Sequence, residues 1–476
     1  MNYIFMNTES ESIDYDSVVK KMDKNTGKRI VYFITIVAAL GGFLFGYDNG
    51  VIGSVLIYVP FALTATSTAI LVSYISFVAA IGAIVAGPIT DKFGRKSMLI
   101  ADGTMYAIFA ILAAVSTNLT LLIIWRSLTG FAIGADTAVA TSYMAEFVPS
   151  RSRGKYVYTQ QLMIFAGGIG AFWVGYVLAF SADWRLMLGL GAVPAIIMLI
   201  LRTFVPESPR WLVMHDKMDK AKKALKRIGI EVKGIIIPPP KEAGYRELLK
   251  NRAVRNAIIV VGLWLAFMQI TGINIILYYG PYIYKYIGLS GPEAILRTAI
   301  SESLGIFGYG VSFFLIEKWG RRKLGILGYF GLAASIIVVI IGISYFNSSI
   351  LVTAALLIFI GSTFFILFFH IGIGGVGWIL QGESLDPHYR VTGAGIMAAI
   401  DWIANGIILV VFPIWKAAYG IFSFFIFEFV LAAIAVIFVV LMVPETKGKT
   451  IEQMDQVYGR PLKELRKNFE VKEENK

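Results

Sequence analysis

Asp91–Lys96 reads DKFGRK, and Glu317–Arg322 reads EKWGRR. Two more pairs follow in the same order: EFVPSRSRG from Glu146 with ESLDPHYRVTG from Glu383, and PESPR from Pro206 with PETKG from Pro444. The three pairs lie 226, 237 and 238 residues apart. Three motifs at nearly one offset mean that a unit has been duplicated. The motifs punctuate apolar runs of about 20 residues, the length that crosses a bilayer as a helix. Working outward gives twelve runs, near 30–56, 68–90, 97–116, 119–145, 156–180, 186–205, 255–284, 298–316, 323–345, 351–382, 391–414 and 418–443. Six fall in each copy. An even number returns the chain to the side it left, so the copies share one orientation, as in transporters whose repeats flank a central site.

Composition agrees. Of 476 residues 57% are hydrophobic and only 16% charged, against about a quarter charged in ordinary soluble domains. Mean hydropathy is +0.71. These values exclude a soluble enzyme, a disordered chain and a disulfide scaffold. With no cysteine, thiol catalysis and Cys-ligated metal are excluded too.

Lys and Arg are distributed by side. If both termini are placed in the cytoplasm, 38 of the 43 fall on that side, and Arg185, Lys285, Arg297 and Lys416 on the other. That asymmetry predicts cytoplasmic termini and explains the net charge of +12 without nucleic acid; anionic lipid attracts the same side. The expected divisions are a cytoplasmic tail (1–29), a six-helix half (30–205), a helical cytoplasmic linker domain (206–254), a second half (255–443) and a cytoplasmic tail (444–476). Both tails are polar and expected to be loosely ordered. The first run follows a tail with five acids and is too long for a signal-peptide core.

Ionisable residues inside spans are costly unless paired, and so mark function. Asp48 and Arg126 fall at similar depth, in the half of the membrane away from the basic side, by a rise of 1.5 Å per residue. A pair between them serves either as a proton site whose protonation depends on conformation or as a static ion pair. Asp136 lies ten residues, about 15 Å, from Arg126 toward the basic side. Asp401 immediately precedes Trp402. Glu302, His370 and Glu428 read by default as packing or interfacial residues. Gly130 and Gly134 in GFAIG read as close helix packing. KGKT at Lys447 lacks the first glycine of a P-loop, and the three histidines have no metal spacing. No nucleotide, metal or other cofactor is therefore expected, and the energy source is a gradient.

GGFLFGYDNGVI from Gly41, DKFGRK, Arg126 in its WR, RGK at Arg153, PESPRW from Pro206, QITGINIILYYGP from Gln269, GWILQGE from Gly377, WIAN from Trp402 and PETKGKT from Pro444 together resemble the sugar porter family of the major facilitator superfamily. The resemblance runs from about Gly41 to Thr450. It implies an all-α membrane protein with the major facilitator fold, twelve transmembrane helices in two six-helix halves. It implies that Asp48 binds the coupled proton and that Arg126 tunes it, passive members tending to carry Asn at that position. Gln161, Gln269, Asn274, Tyr278, Trp378 and Trp402 occupy the family's sugar-binding positions, where amides meet hydroxyls and aromatic faces meet the ring. Asp91, Arg95, Lys96, Glu146, Arg153, Glu207 and Arg210, with Glu317, Arg321, Arg322, Glu383, Arg390 and Glu445 in the second copy, form the family's gating charge network. Their pairs join and part as the halves rock.

This sequence departs from the family at Met268, where a Gln is common, at Gly305, where an Asn is frequent, and at Gly191, where a second carboxylate occurs. Asp136 and Asp401 replace a small residue and an amide. Asp401 can accept sugar hydroxyls, bind a proton or favour a cation.

The expected function is proton-coupled uptake of a hexose or pentose by alternating access. A passive sugar facilitator and a proton symporter of an organic acid or other small metabolite are the alternatives. The protein is expected to be no enzyme and to act as a monomer in the plasma membrane, with sugar, protons and lipid as its partners.

Overall fold

The structure, a computed structural model, describes residues 12–25, 28–147, 153–232, 234–237, 245–347, 351–386, 388–449 and 453–465. After β1 (Ser12–Asp14) and α1 (Tyr15–Asn25), the first half comprises α2 (Lys28–Tyr58), α3 (Ala65–Phe93), α4 (Arg95–Ala114), α5 (Leu119–Phe147), α6 (Arg153–Ala179), and α7 (Trp184–Gly189) with α8 (Ala192–Phe204) as one interrupted span. Next come α9 (Pro209–Met214), α10 (Met218–Arg227), β2 (Ile235–Ile237) and α11 (Tyr245–Leu248). The second half comprises α12 (Arg252–Ile270) with α13 (Ile273–Tyr286), α14 (Gly291–Trp319), α15 (Arg321–Asn347), α16 (Leu351–Gly372) with α17 (Gly374–Glu383), and α18 (Arg390–Met442), before α19 (Met454–Tyr458).

Among the described residues, eleven stretches are long and apolar enough to cross a membrane, the last of them 51 residues from Thr392 to Met442. At 1.5 Å per residue that stretch would reach about 75 Å, more than twice a hydrocarbon core of roughly 30 Å. It breaks at Gly420, with φ 81° and ψ 163°, so it makes two crossings and the total is twelve. Gly94 (φ 100°, ψ 156°) and Gly320 (φ 84°, ψ 173°) turn the chain in the same conformation between α3 and α4 and between α14 and α15. That region is open essentially to glycine alone. The G of both GRK and GRR is therefore a one-residue turn. Outward side chains such as Phe180, Phe314 and Phe330, 71%, 70% and 66% exposed, present apolar surface of the kind lipid covers.

Within the first half Gly134 and Gly130 let α5 lie on α3: a Cβ at either would come 1.9 or 2.2 Å from the carbonyl of Ala79 or Ile75. This is the close packing expected of GFAIG. The halves meet where α3 packs on α18, α2 on α13 and α6 on α14.

The tails differ from the sequence expectation. Ser12–Asp14 pairs in parallel with Ile235–Ile237 of the linker, register Ser12 to Ile235. Tyr15, Val18 and Met22 of α1 are buried in one cluster with Trp211, Leu225, Ile228 and Ile236. The described part of the N-terminal tail is thus built into the linker domain, because α1 has an apolar face that linker helices α9 and α10 alone would leave uncovered. At the other end α19 docks on α12, where Asn256 Nδ2 donates to the carbonyls of Tyr458 (2.8 Å) and Arg460 (2.9 Å). The PPP run at Pro238 lies outside the described residues.

Candidate functional site

Asp48 on α2 and Arg126 on α5 are brought together. Arg126 Nη1 donates to Asp48 Oδ1 at 3.3 Å and Nη2 to Oδ2 at 3.1 Å, a bidentate fork. Their side chains are 8% and 2% exposed. Tyr47, Tyr106, Thr129 and Leu188 line the small cavity beside the pair. The hydroxyls of Tyr47 and Tyr106 donate to the carbonyls of Met187 (2.7 Å) and Leu44 (3.0 Å), which fixes the wall. Gly191 faces the same place. A Cβ there would already lie 3.1 Å from the Tyr47 ring, so the aromatic ring fills the room a second carboxylate would need.

A chain of buried amides crosses from one half to the other. Gly272, at φ 94°, interrupts span seven between α12 and α13. The break turns Asn274 back toward Gln269, five residues earlier, and Asn274 Nδ2 donates to Gln269 Oε1 at 2.7 Å. Gln269 Nε2 donates to Asp401 Oδ1 at 2.8 Å. Asn274 Nδ2 also donates to Asn405 Oδ1 (2.8 Å), and Asn405 Nδ2 to Ser76 Oγ of the first half (3.1 Å). Tyr278, one turn beyond Asn274, is buried close to Asn405 and within electrostatic reach of Asp48, Arg126 and Asp401.

Trp402 is buried with its ring 4.9 Å from Phe45 of the first half, and its Nε1 has no hydrogen-bond partner. Gln161 is buried on α6 and Trp378 half-buried on α17; both lie outside the amide chain. Asn405 and Ser76 were missed in the sequence, although Asn405 follows Asp401 by one helical turn and so shares its face.

At the basic side the glutamate caps and the arginine pairs recur in both halves. Glu207 accepts the backbone N–H of Arg95 (2.9 Å) and Lys96 (3.1 Å) at the start of α4, and Lys96 Nζ donates to the Thr203 carbonyl at 2.6 Å. Glu445 accepts the N–H of Arg321 (3.0 Å) and Arg322 (3.2 Å) at the start of α15, and Arg322 Nη2 donates to the Val440 carbonyl at 2.6 Å. Burial pushes the Glu207 carboxyl above the usual range, and the hydrogen bonds from Ser208, Lys96 and Arg95 draw it back. Each glutamate caps a helix N-terminus, where orphan N–H groups and the helix dipole favour an anion. Arg95 pairs with Asp91 (2.9 Å) and Glu146 (3.4 Å), and Arg321 with Glu317 (3.2 Å) and Glu383 (3.1 Å). Every one of these pairs stays within its own half. Arg210 is half-buried, within reach of Tyr15. The side chains of Arg153 and Arg390 lie outside the described residues.

Asp136 does not face the amides. Arg202 takes it up inside the first half. Glu302, Glu428 and His370 are each at most 5% exposed, and so are core residues rather than interfacial ones. Glu428 lies on the hinge: a Cβ on Gly272 would meet its Oε2 at 2.9 Å.

Two repeated six-helix halves, with a buried ion pair and an amide chain at their seam, define a secondary transporter of the major facilitator fold. The Sugar (and other) transporter family matches residues 34–458, and the chain belongs to it. It is 33% identical over 433 residues to the glucose transporter of Staphylococcus epidermidis, covering 89% of this chain and 96% of that one. To the galactose-proton symporter of Escherichia coli K12 it is 30% identical, with 94% and 98% covered. Among solved structures it is similar to the xylose transporter of Escherichia coli in a partially occluded inward-open conformation. The TM-score is 0.74 at 25% identity, covering 89% of this chain and all of that one.

Proposed function

We propose that the protein takes up a monosaccharide, hexose or pentose, in symport with a proton, Asp48 being the group that carries the proton. The observation that carries this reading is the buried Asp48–Arg126 fork, in the same protein as a buried amide chain that runs from Asp401 to Ser76. A buried carboxylate is stable there while Arg126 neutralises it. Moving Arg126 away, or bringing sugar against Tyr278, favours the neutral acid instead. Protonation and sugar occupancy then depend on one another, which is what symport requires. Each proton contributes about 2.3 kcal/mol per 100 mV of membrane potential and about 1.4 kcal/mol per pH unit.

In this scheme Gln269, Asn274, Asn405 and Asp401 bind sugar hydroxyls, with Gln161 completing the polar ring. Trp402 and Trp378 offer ring faces, and Trp402 Nε1 a free donor. The charge pairs of the basic side, with Glu207 and Glu445 as caps, hold the inner faces of each half together when the site is closed inward and part when it opens. The basic side is the cytoplasmic one, both termini are inside, and the protein works as a monomer in the plasma membrane. The relatives named for glucose and for galactose with protons support the substrate class. An anionic substrate is disfavoured, because Asp401 ends the amide chain with no ion-pair partner among the described residues.

The test is uptake into proteoliposomes of labelled hexoses and pentoses, with and without an inward proton gradient, for wild type and Asp48→Asn. Gradient-dependent accumulation that vanishes in the variant supports the reading. Equilibration indifferent to the gradient makes the protein a facilitator, and competition by charged metabolites alone moves the substrate class.

A further inference from the structure

Asp102 on α4, Asp136 on α5 and Arg202 on α8 meet inside the first half. Arg202 is 0% exposed, Asp102 2% and Asp136 6%. Arg202 Nη1 donates to Asp102 Oδ1 and, at 2.7 Å, to the Leu99 carbonyl; Nη2 donates to Asp136 Oδ1. The two carboxyl groups are thus held against the two terminal nitrogens of one guanidinium. Asp102 Oδ2 is buried and finds no donor.

Two carboxyls face one guanidinium. If both were ionised the cluster would carry a net negative charge within the membrane-spanning region, where charge is expensive. Two adjacent carboxylates also resist ionising together. Two carboxyl groups held by one guanidinium can hydrogen-bond to each other only when one of them bears a proton, and such a proton would give the unpartnered Asp102 Oδ2 its hydrogen bond. The surrounding titratable groups are committed elsewhere. On α5 the Tyr143 hydroxyl donates to the Pro206 carbonyl, and Glu146 pairs with Arg95 of α4. Lys96 of α4 is held by Thr203, Glu207 by the start of α4, and Asp48 of α2 by Arg126. The cluster is closed in on the side of α2. Gly41 of α2 lies so close that a Cβ there would sit 1.6 Å from Asp136 Oδ2, and Arg202 already fills the place of a cation.

We propose that Asp102 and Asp136 share one exchangeable proton beneath the Arg202 guanidinium, a second proton-binding site between the Asp48–Arg126 pair and the basic side. Gly41 lies two helical turns along α2 from Asp48, so the site is on the path between that pair and the basic face. The site rests on the geometry of the three side chains and stands whether or not Asp48 carries the transported proton.

Infrared difference spectra of the purified full-length protein, in light and heavy water across a pH series, test this. Wild type minus Asp136→Asn, and separately wild type minus Asp102→Asn, should each show the C=O stretch of one protonated carboxylic acid. That band should shift on deuteration, disappear at high pH, and remain in the Asp48→Asn protein. Each single Asn variant keeps one Asp–Arg202 pair and a neutral cluster, so both are expected to fold; if one does not, the other reads the same proton. A difference spectrum containing only the loss of an ionised carboxylate, or a protonated band that vanishes in Asp48→Asn, overturns the proposal.

Discussion

Arg126 grips Asp48 through both of its terminal nitrogens, at 3.3 and 3.1 Å, while its Nε finds no partner. Among the described residues Arg126 has no second acid in ion-pair contact when Asp48 is neutral, which makes the pair interdependent. Removing one member of such a buried pair typically costs about 3–5 kcal/mol, mostly because the remaining charge is stranded. Arg126→Gln should therefore lower the melting temperature in detergent. Adding Asp48→Asn to it should recover a large part of the loss; a double variant less stable than Arg126→Gln would contradict the pairing.

The amide chain yields a separable prediction. Asn405 joins Asn274 to Ser76 across the seam of the halves. Asn405→Ala should raise KM for sugar about tenfold, the equivalent of one hydrogen bond of roughly 1–1.5 kcal/mol, without abolishing gradient-driven accumulation. Asp401→Asn keeps an acceptor for Gln269 and should also leave accumulation intact. Initial rates over a sugar concentration series separate the two parameters, and loss of accumulation at unchanged KM would contradict the assignment.

Much of this was legible in the sequence. Motif pairs at one offset and apolar runs of bilayer length are properties of the chain itself, and they placed the twelve crossings. Helical rise put Asp48 and Arg126 at similar depth and so made their pairing possible. What escaped has physical reasons. The β1–β2 pairing joins two three-residue strands, too short for any periodicity to show. Arg202 sits at the basic end of its span and reads as one more orientation charge. Asp102 was overlooked because its partners come from two other helices. Ser76 belongs to the opposite half from Asn405, and nothing in either motif points to the other.

Glu207 carries a pH dependence of definite sign. Burial raises its carboxyl above the usual range, so the folded state holds that proton more readily than the unfolded chain does. Its contribution to stability is then fully present at acid pH, and declines as pH rises from the ordinary glutamate value through the raised one. Melting temperatures measured across that interval should fall less steeply for Glu207→Gln than for wild type. A steeper fall in the variant would contradict the assignment.

The one-glycine turns predict a matched pair of failures. A Cβ at Gly94 or Gly320 would lie 2.3 Å from the Glu207 or Glu445 carboxylate, in a backbone conformation closed to alanine. Gly94→Ala and Gly320→Ala should each destabilise the protein by about 1–3 kcal/mol, read as a lower melting temperature. Gly310, whose added Cβ meets nothing within 4 Å, is the control and should tolerate alanine.

The central claim is that sugar and proton move together through Asp48. Its most direct test is the pH of a lightly buffered medium around sugar-free proteoliposomes at the moment sugar is added. The account predicts a transient external alkalinisation with wild type, proportional to the sugar taken up, and none with Asp48→Asn even where sugar counterflow persists. Sugar entry without alkalinisation in wild type, or the same alkalinisation in Asp48→Asn, would contradict it.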